Sequence, residues 1–311
     1  MRSCGMGDDT RMSWDELGRR AEQVRDLFTK HRVPLVPGEG LDRVLLEAEV
    51  LAKGAPAKIE LLPEEYRVIL NDAHVIYSLA ENLDACVQSG VDVKIHLKQI
   101  RTGTTDYGTA AGENGQKTIF FKDFEYELCV CAAALRSGLR ARFSDEPNDP
   151  HGDLHVESLR VEVKHPNSVR GLQKLVRKFN SGLYDEGAYG VFVTGLEDAF
   201  ALGAPGAFAT PADLEAHLAK KRAEMESFGR EFIRYVASLS HVLAIVQTTT
   251  MLEIVAGASC LTRSANALIF DGVRPQAPAS AMDDALRVAS VFNPAPVRYS
   301  AVRERPDPTP E

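Results

Sequence analysis

The sequence predicts a mixed α/β protein in which a mixed β-sheet is flanked by helices and preceded by an all-helical N-terminal region. Two observations lead to this prediction. Up to about residue 100, apolar residues recur at helical spacing, and beyond residue 118 helical patterns alternate with short apolar runs typical of strands. A polar, glycine-rich stretch at 102–117 separates the two patterns. Loops of that length in compact proteins are usually functional or disordered, so it marks a domain boundary.

The first part of the chain predicts a flexible N-terminus, 1–12, and a helical accessory domain, 13–118. Ser13 and Glu16 have the spacing of a capping box and start the first helix. Further helices are predicted at 41–53 and from Pro63 onward. Residues 91–100 fit both a strand alternation and a helix face, and their helical neighbours favour a helix.

The second domain is predicted at 119–273, and the Pro/Ala-rich segment 274–311 is predicted to be a largely disordered tail. Helices are expected at 122–137, at 168–181 and from Thr210, where a capping threonine precedes a proline. Strands are expected at 139–143, around Asp153 and Glu162, and at 189–194, 241–247 and 265–271.

Composition sets broad limits on function. With a net charge of −8, 44% hydrophobic and 26% charged residues, the chain resembles an ordinary soluble globular protein. The negative charge argues against a uniformly basic surface, although it allows a local basic groove. Five irregularly spaced cysteines and the lack of an apolar run near 18 residues predict a cytoplasmic protein with reduced thiols and no membrane partner.

Residues 153–164 carry the strongest chemical signal. Strand side chains alternate between faces, so Glu162 and Lys164 should point one way and Val161 and Val163 into a core. If the chain turns back between residues 157 and 160, Asp153 lies on the same side as Glu162. Two carboxylates and one ammonium then converge, and hard divalent cations prefer such oxygen ligands.

These residues resemble the motif of the PD-(D/E)xK nuclease superfamily, which has the restriction-endonuclease-like fold. The matching positions are the helix around Phe124-Glu-Tyr-Glu127-Leu, Gly152-Asp153 at a strand start, and Glu162-Val163-Lys164. The resemblance covers roughly residues 119–195. It departs from the family at Gly152, where many members have proline.

The resemblance implies a Mg²⁺-dependent (or Mn²⁺-dependent) endonuclease that hydrolyses phosphodiester bonds, with DNA favoured over RNA as the nucleic-acid partner. Asp153, Glu162 and the Val163 carbonyl would bind the metal. Lys164, beside two carboxylates, would orient the attacking water and stabilise the transition state. Glu127 is carried over from the family as a group that holds a second metal or a metal-bound water.

A basic helix follows this motif. Between residues 158 and 180 there are six basic residues and one acidic residue, in a chain that is acidic as a whole. Arg170, Lys174, Arg177 and Lys178 lie at i, i+4, i+7 and i+8, a stripe that could follow a phosphate backbone, and Gln173 is a weaker candidate on the same helix. A solvated helix face explains such a stripe equally well.

A second function remains open: a catalytically inactive subunit that keeps the nuclease fold and acts in nucleic-acid binding or complex assembly. The intact trio Asp153, Glu162 and Lys164 favours the enzyme, because a degenerate member is expected to lose one of the three. Cutting both strands of a duplex would favour a homodimer. His151, His155 and His165 surround the acids without an established metal-ligand spacing.

Overall fold

The computed structural model describes residues 13–54, 63–102, 105, 120–145, 152–166, 169–196, 207–208, 210–255, 258–274 and 276–299. The predicted flexible segment 1–12 and most of the glycine-rich stretch 102–117 lie outside these residues. The described part is a mixed α/β structure, as predicted, in which helices pack on both faces of a mixed sheet.

The described residues between 13 and 102 contain four helices. The Ser13 side chain accepts a hydrogen bond from the Glu16 amide, which confirms the predicted cap. Residues 91–100 contain a helix rather than a strand, and its buried side chains are His96, Leu97 and Ile100. The bounds of the four helices are α1 Trp14–Lys30, α2 Gly40–Gly54, α3 Pro63–Gln88 and α4 Lys94–Ile100.

Helices and strands then alternate through the rest of the chain. α7 begins with the predicted cap: Thr210 and Asp213 form a complete capping box, with proline in the first turn. The elements are α5 Phe120–Arg136, β1 Ala141–Phe143, β2 Leu154–Val156, β3 Leu159–Lys164, α6 Val169–Glu186, β4 Gly190–Gly195, β5 Ala207–Phe208, α7 Pro211–Ala237, β6 Val242–Val255, β7 Ala258–Ile269, α8 Ala279–Phe292 and β8 Val297–Arg298.

The strands form one sheet with the order β1-β2-β3-β4-β6-β7-β8, and β5 pairs with the far end of β6. β1, β2 and β3 are antiparallel neighbours. β3, β4 and β6 run parallel, and β7 returns antiparallel along β6. β3 and β4 end level with each other, at Lys164 and Gly195, and β6 continues beyond them to Val255.

Two hydrophobic clusters cover the two faces of this sheet. The larger one joins the N-terminal helices, α5 and α8 to a face that includes Val161 and Val163. The smaller one packs α6 and α7 on the other face, where Phe192 is fully buried. Val161 and Val163 therefore point into a core, as their alternation predicts. The division into domains at residue 118 stays a prediction.

The predicted disorder of 274–311 is wrong for its first part. Helix α8 runs from Ala279 to Phe292, and β8 pairs with β7. One side of α8 is buried through Ala281, Ala285, Val288 and Ala289, which lie at i, i+4, i+7 and i+8. Alanines at helical spacing lie on one face of a helix, and their small side chains let that face pack closely. The Pro/Ala-rich composition therefore led to a prediction of disorder where a packed helix is present. Residues 300–311 lie outside the described residues.

Candidate active site

The β2–β3 hairpin brings Asp153 beside Glu162. The last ladder pair is Leu154 with Val161, so Asp153 lies across from Glu162 one step further along the two strands. The Asp153 amide also donates a hydrogen bond of 2.9 Å to the Val161 carbonyl. The turn at residues 157–158 that was required to bring the two carboxylates together is present, with Glu157 in the left-handed region at φ 53°.

The backbone conformation of residue 152 explains why this position has glycine where many members of the resembled family have proline. Its φ is +127°, a value that the proline ring cannot adopt because it fixes φ near −65°. A Cβ at this position would lie 3.0 Å from the Val161 carbonyl oxygen and 3.3 Å from the Phe179 ring. Glycine is thus the residue that this strand entry requires, and its presence is no argument against Asp153 as a ligand.

Lys164 lies between the two carboxylates. Its Nζ is 2.8 Å from Asp153 Oδ2 and 2.9 Å from Glu162 Oε1. Asp153 Oδ2 also accepts a hydrogen bond of 2.8 Å from the Val163 amide, which fixes the carboxylate at the edge of β3. Only 28% of the Lys164 side chain is exposed. The three predicted residues therefore converge on one patch.

This patch has one ammonium group for two carboxylates, and this excess of negative charge affects the pKa of Glu162. Burial and then the charge of Asp153 raise the pKa of Glu162 to about 7, although Lys164 opposes the shift. Burial by itself lowers the pKa of Lys164, but Asp153 and Glu162 outweigh it and keep that pKa above its ordinary value. Lys164 stays charged, and the surplus negative charge is the charge that a bound cation would neutralise.

The residues present fit a magnesium ion. Glu162 Oε2 is buried and has no hydrogen-bond partner among the described residues. Buried polar atoms are normally paired, so this oxygen is available to bind a metal ion. The Val163 amide points toward Asp153, and the carbonyl of a strand residue points to the same side as its amide. Two carboxylates and one carbonyl suit Mg²⁺, which usually keeps several waters and takes one or two carboxylates.

Within the described residues, no three His, Cys, Asp or Glu side chains gather closely enough to hold a metal. Any ion at this site would therefore rest on Asp153, Glu162, backbone and water. His155 and His165 do not complete a metal cluster. His155 lies against Arg160, and burial and then the charge of Arg160 lower its pKa.

Glu127 does not join the carboxylate pair directly. It lies on α5, where it is close enough for Asp153, Lys164 and Glu162 to affect its ionisation, and burial followed by the charge of Asp153 raises its pKa well above the ordinary value. Its Oε2 is 2.8 Å from Nε2 of His96 on α4. Sequence reasoning missed His96, because 31 residues separate it from Glu127 and a single buried histidine on a helix gives no distinctive signal.

The basic helix α6 presents its predicted polar face to solvent. Gln173, Lys174, Arg177 and Lys178 are exposed, whereas Leu172, Val176 and Phe179 are buried. Lys178 is near enough to the site to lower the pKa of Glu162. The side chain of Arg170 lies outside the described residues.

The raised pKa of Glu162 predicts how stability depends on pH. A carboxyl that titrates near 7 in the folded protein and near 4.5 when unfolded binds more protons in the folded state between these values. Its contribution is complete below the unfolded pKa and is lost as the pH rises through about 7. We expect the unfolding free energy of the metal-free protein to fall between about pH 5 and pH 8, and Glu162→Gln to reduce this slope.

Urea denaturation across this pH range would measure the slope, which for one proton is at most about 1.4 kcal/mol per pH unit. Glu215→Gln, at an exposed position on α7, serves as the control and should leave the slope unchanged. An identical slope in wild type and Glu162→Gln would contradict the prediction.

Comparisons with known proteins add little to this geometry. No family model and no curated protein matches the sequence. A chain in a solved structure described as "CdiA-CT/CdiI toxin and immunity complex from Burkholderia pseudomallei" is similar with a TM-score of 0.23 and 12% identity, covering 51% of this chain and 96% of that chain. A likeness with so low a TM-score supports no conclusion about fold or function.

None of the helices in the described ranges is long and apolar enough to span a membrane.

Proposed function

We propose that this protein is a Mg²⁺-dependent endonuclease of the PD-(D/E)xK type, which hydrolyses phosphodiester bonds with DNA favoured over RNA. One observation carries the proposal. The Lys164 ammonium lies within hydrogen-bond distance of both Asp153 and Glu162 at the end of one strand, beside a buried carboxylate oxygen that has no partner in the described structure. The order α5-β1-β2-β3-α6-β4 also supports the proposal, because the resemblance implies a core of helix, strand, hairpin, helix and strand.

Each residue then has a role set by its chemistry. Asp153, Glu162 Oε2 and the Val163 carbonyl would hold the ion. A bound Mg²⁺ supplies a Lewis acid for the phosphate and a water of lowered pKa. Lys164 remains protonated, so it cannot serve as the base. Its ammonium would instead orient the attacking water and stabilise the negative charge that develops on the phosphate oxygens.

The catalytically inactive subunit remains the alternative, and one feature favours it. Lys164 already pairs with one oxygen of each carboxylate, and such an ion-pair cluster can have a purely structural role.

A cleavage assay distinguishes the two functions. Labelled single- and double-stranded DNA and RNA are incubated with the purified protein in Mg²⁺ or in EDTA. Cleavage that requires Mg²⁺ and is absent from Asp153→Asn supports the enzyme, and binding without cleavage supports the subunit.

The exposed stripe on α6 leads to a prediction about salt dependence. Each lysine or arginine that contacts a phosphate of duplex DNA contributes about 0.9 to the slope of log affinity against log salt. We expect Lys174→Ala with Arg177→Ala to weaken DNA binding and to reduce the slope by about 2, as measured by fluorescence anisotropy at several salt concentrations.

Lys220→Ala with Arg230→Ala is the matched control, because it removes two exposed positive charges from α7. This control should keep the wild-type slope. If both double variants have the same slope as wild type, the α6 stripe is ordinary solvated surface.

A homodimer and a cytoplasmic location are further proposals. Sedimentation with and without duplex DNA would test the homodimer.

A further inference from the structure

We infer that His96 is a positioning residue for Glu127, so that the N-terminal helices supply part of the active site. The inference rests on the proposed nuclease function and adds to it a residue that the family motif does not contain. Its basis is a buried hydrogen bond that crosses from α4 to α5 and ends on Glu127, whose pKa is affected by the residues of the catalytic patch.

The geometry of His96 is tightly fixed. Its Nε2 lies 2.8 Å from Glu127 Oε2, and both residues are buried, with exposed fractions of 4% and 8%. The ring packs against Phe143 with centroids 3.6 Å apart, and the edge of Phe124 contacts it at 5.4 Å. Aromatic contacts on two sides leave the imidazole little rotational freedom, so the bond to Glu127 has a defined direction.

The surroundings of Nδ1 indicate which atom donates. Nδ1 is buried and has no hydrogen-bond partner in the described structure. A proton there would be a buried donor without an acceptor, which costs about 1–3 kcal/mol. With its proton on Nε2 instead, neutral His96 donates to Oε2 whether or not Glu127 carries a proton on its other oxygen. Oε2 is thereby held in place, which fixes the orientation of the Glu127 carboxyl group.

The position of Glu127 gives this bond a role in catalysis. His96 packs on Phe143, which pairs with Leu154 next to Asp153, and Asp153, Lys164 and Glu162 all affect the pKa of Glu127. Partners that orient a carboxylate near a metal usually change activity or metal affinity by about 10–100-fold when removed. A bond that only joins α4 to α5 would change stability and leave turnover unchanged.

The chain contains a matched control. Ser78 on α3 donates a buried hydrogen bond of 2.9 Å to Glu125 Oε1, so it also joins an N-terminal helix to a glutamate on α5. Residues two apart on a helix point in different directions, which separates Glu125 from Glu127. Ser78→Ala breaks a comparable interhelical bond that does not involve Glu127.

The kinetic experiment compares His96→Leu, His96→Gln and Ser78→Ala, at a temperature where each is folded. We expect His96→Leu to lower kcat by about 10-fold or more with an unchanged KM for nucleic acid, and to raise the Mg²⁺ concentration needed for half-maximal rate. His96→Gln keeps an amide donor near Nε2 and should recover most of the rate. Ser78→Ala should lose stability but keep the wild-type kcat.

A double-mutant cycle identifies Glu127 as the residue through which His96 acts. Adding His96→Leu to Glu127→Gln should reduce kcat by less than 2-fold beyond Glu127→Gln alone, because residues that act as a unit are not additive. A second readout needs no metal and no turnover. In proton NMR of the metal-free protein, a slowly exchanging imidazole Nε2–H signal should vanish in His96→Gln and shift in Glu127→Gln.

The possible outcomes separate this inference from the function on which it rests. If wild type cleaves with Mg²⁺ while His96→Leu has the same kcat, or if the two substitutions are additive, the positioning role is wrong and the nuclease proposal stands. If wild type cleaves no nucleic acid, both are wrong. Loss of kcat in His96→Leu, recovery in His96→Gln and a shifted Nε2–H signal in Glu127→Gln together support the inference.

Discussion

Replacing Lys164 with alanine is expected to slow Mg²⁺-dependent cleavage by about 10²-fold or more, the usual effect of removing a preorganised electrostatic group. The ammonium lies between the two carboxylates, where a scissile phosphate bound to their metal would be adjacent. The loss should fall on kcat, because the charge acts mainly on the transition state. A single-turnover cleavage assay would measure it.

The structure also predicts a cost in stability for this substitution. Lys164 is largely buried, and its removal leaves two carboxylates without a counter-charge, which typically costs about 3–5 kcal/mol in a buried pair. Mg²⁺ should restore part of this stability, because it supplies the missing positive charge. Activity must therefore be compared between folded fractions, with Lys220→Ala, at an exposed position, as the control. Equal cleavage by wild type and Lys164→Ala would identify the activity as a contaminant and favour the inactive subunit.

The second large effect concerns metal binding. Wild type is expected to bind Mn²⁺ or Mg²⁺ at a site that requires Asp153 and Glu162, and Asp153→Asn with Glu162→Gln should abolish it. Glu162 Oε2 is buried and lacks a hydrogen-bond partner in the described structure, and a cation would offset the surplus charge of the patch. Isothermal titration calorimetry with Mn²⁺ would measure the binding.

The amide substitutions keep the shape and much of the hydrogen bonding of the carboxyl groups, so the fold should persist. The double variant leaves the largely buried Lys164 ammonium without a counter-charge, so we expect it to lose about 3–5 kcal/mol of stability, and the titration is run where it is folded. Asp185→Ala with Glu215→Ala removes two exposed acids and should leave the titration unchanged. Indistinguishable heats for wild type and the Asn/Gln variant would exclude this metal site.

The trio at β3 could be predicted because its information is local. The alternation of Val161 and Val163 with Glu162 and Lys164 fixes the two faces of the strand, and the short turn after β2 brings Asp153 alongside. The same holds for the start of α7, where Thr210 and Asp213 form a cap within four residues. Patterns that act through neighbours in sequence remain visible without a structure.

The features that sequence did not reveal depend on distant partners. The contacts of His96 with Glu127 and Phe143 exist only after α4 packs on α5, so they could not be predicted from the residues around His96 in the sequence. Helix α8 has the right periodicity, but its small side chains carry a weak hydrophobic signal until β6 and β7 cover them. The true lengths of β6 and β7 were also missed, because these strands pair with each other far beyond the end of β4.

Helix α8 has a consequence for how the protein is made. Its buried residues Ala285 and Val288 belong to the same core as Val161 and Val163, which lie on β3 on either side of Glu162. During synthesis from the amino terminus, this core stays incomplete until α8 has left the ribosome, although Asp153, Glu162 and Lys164 emerged long before. A nascent chain that still lacks α8 is therefore expected to have no nuclease activity, and any activity should arise only after α8 has packed against this core.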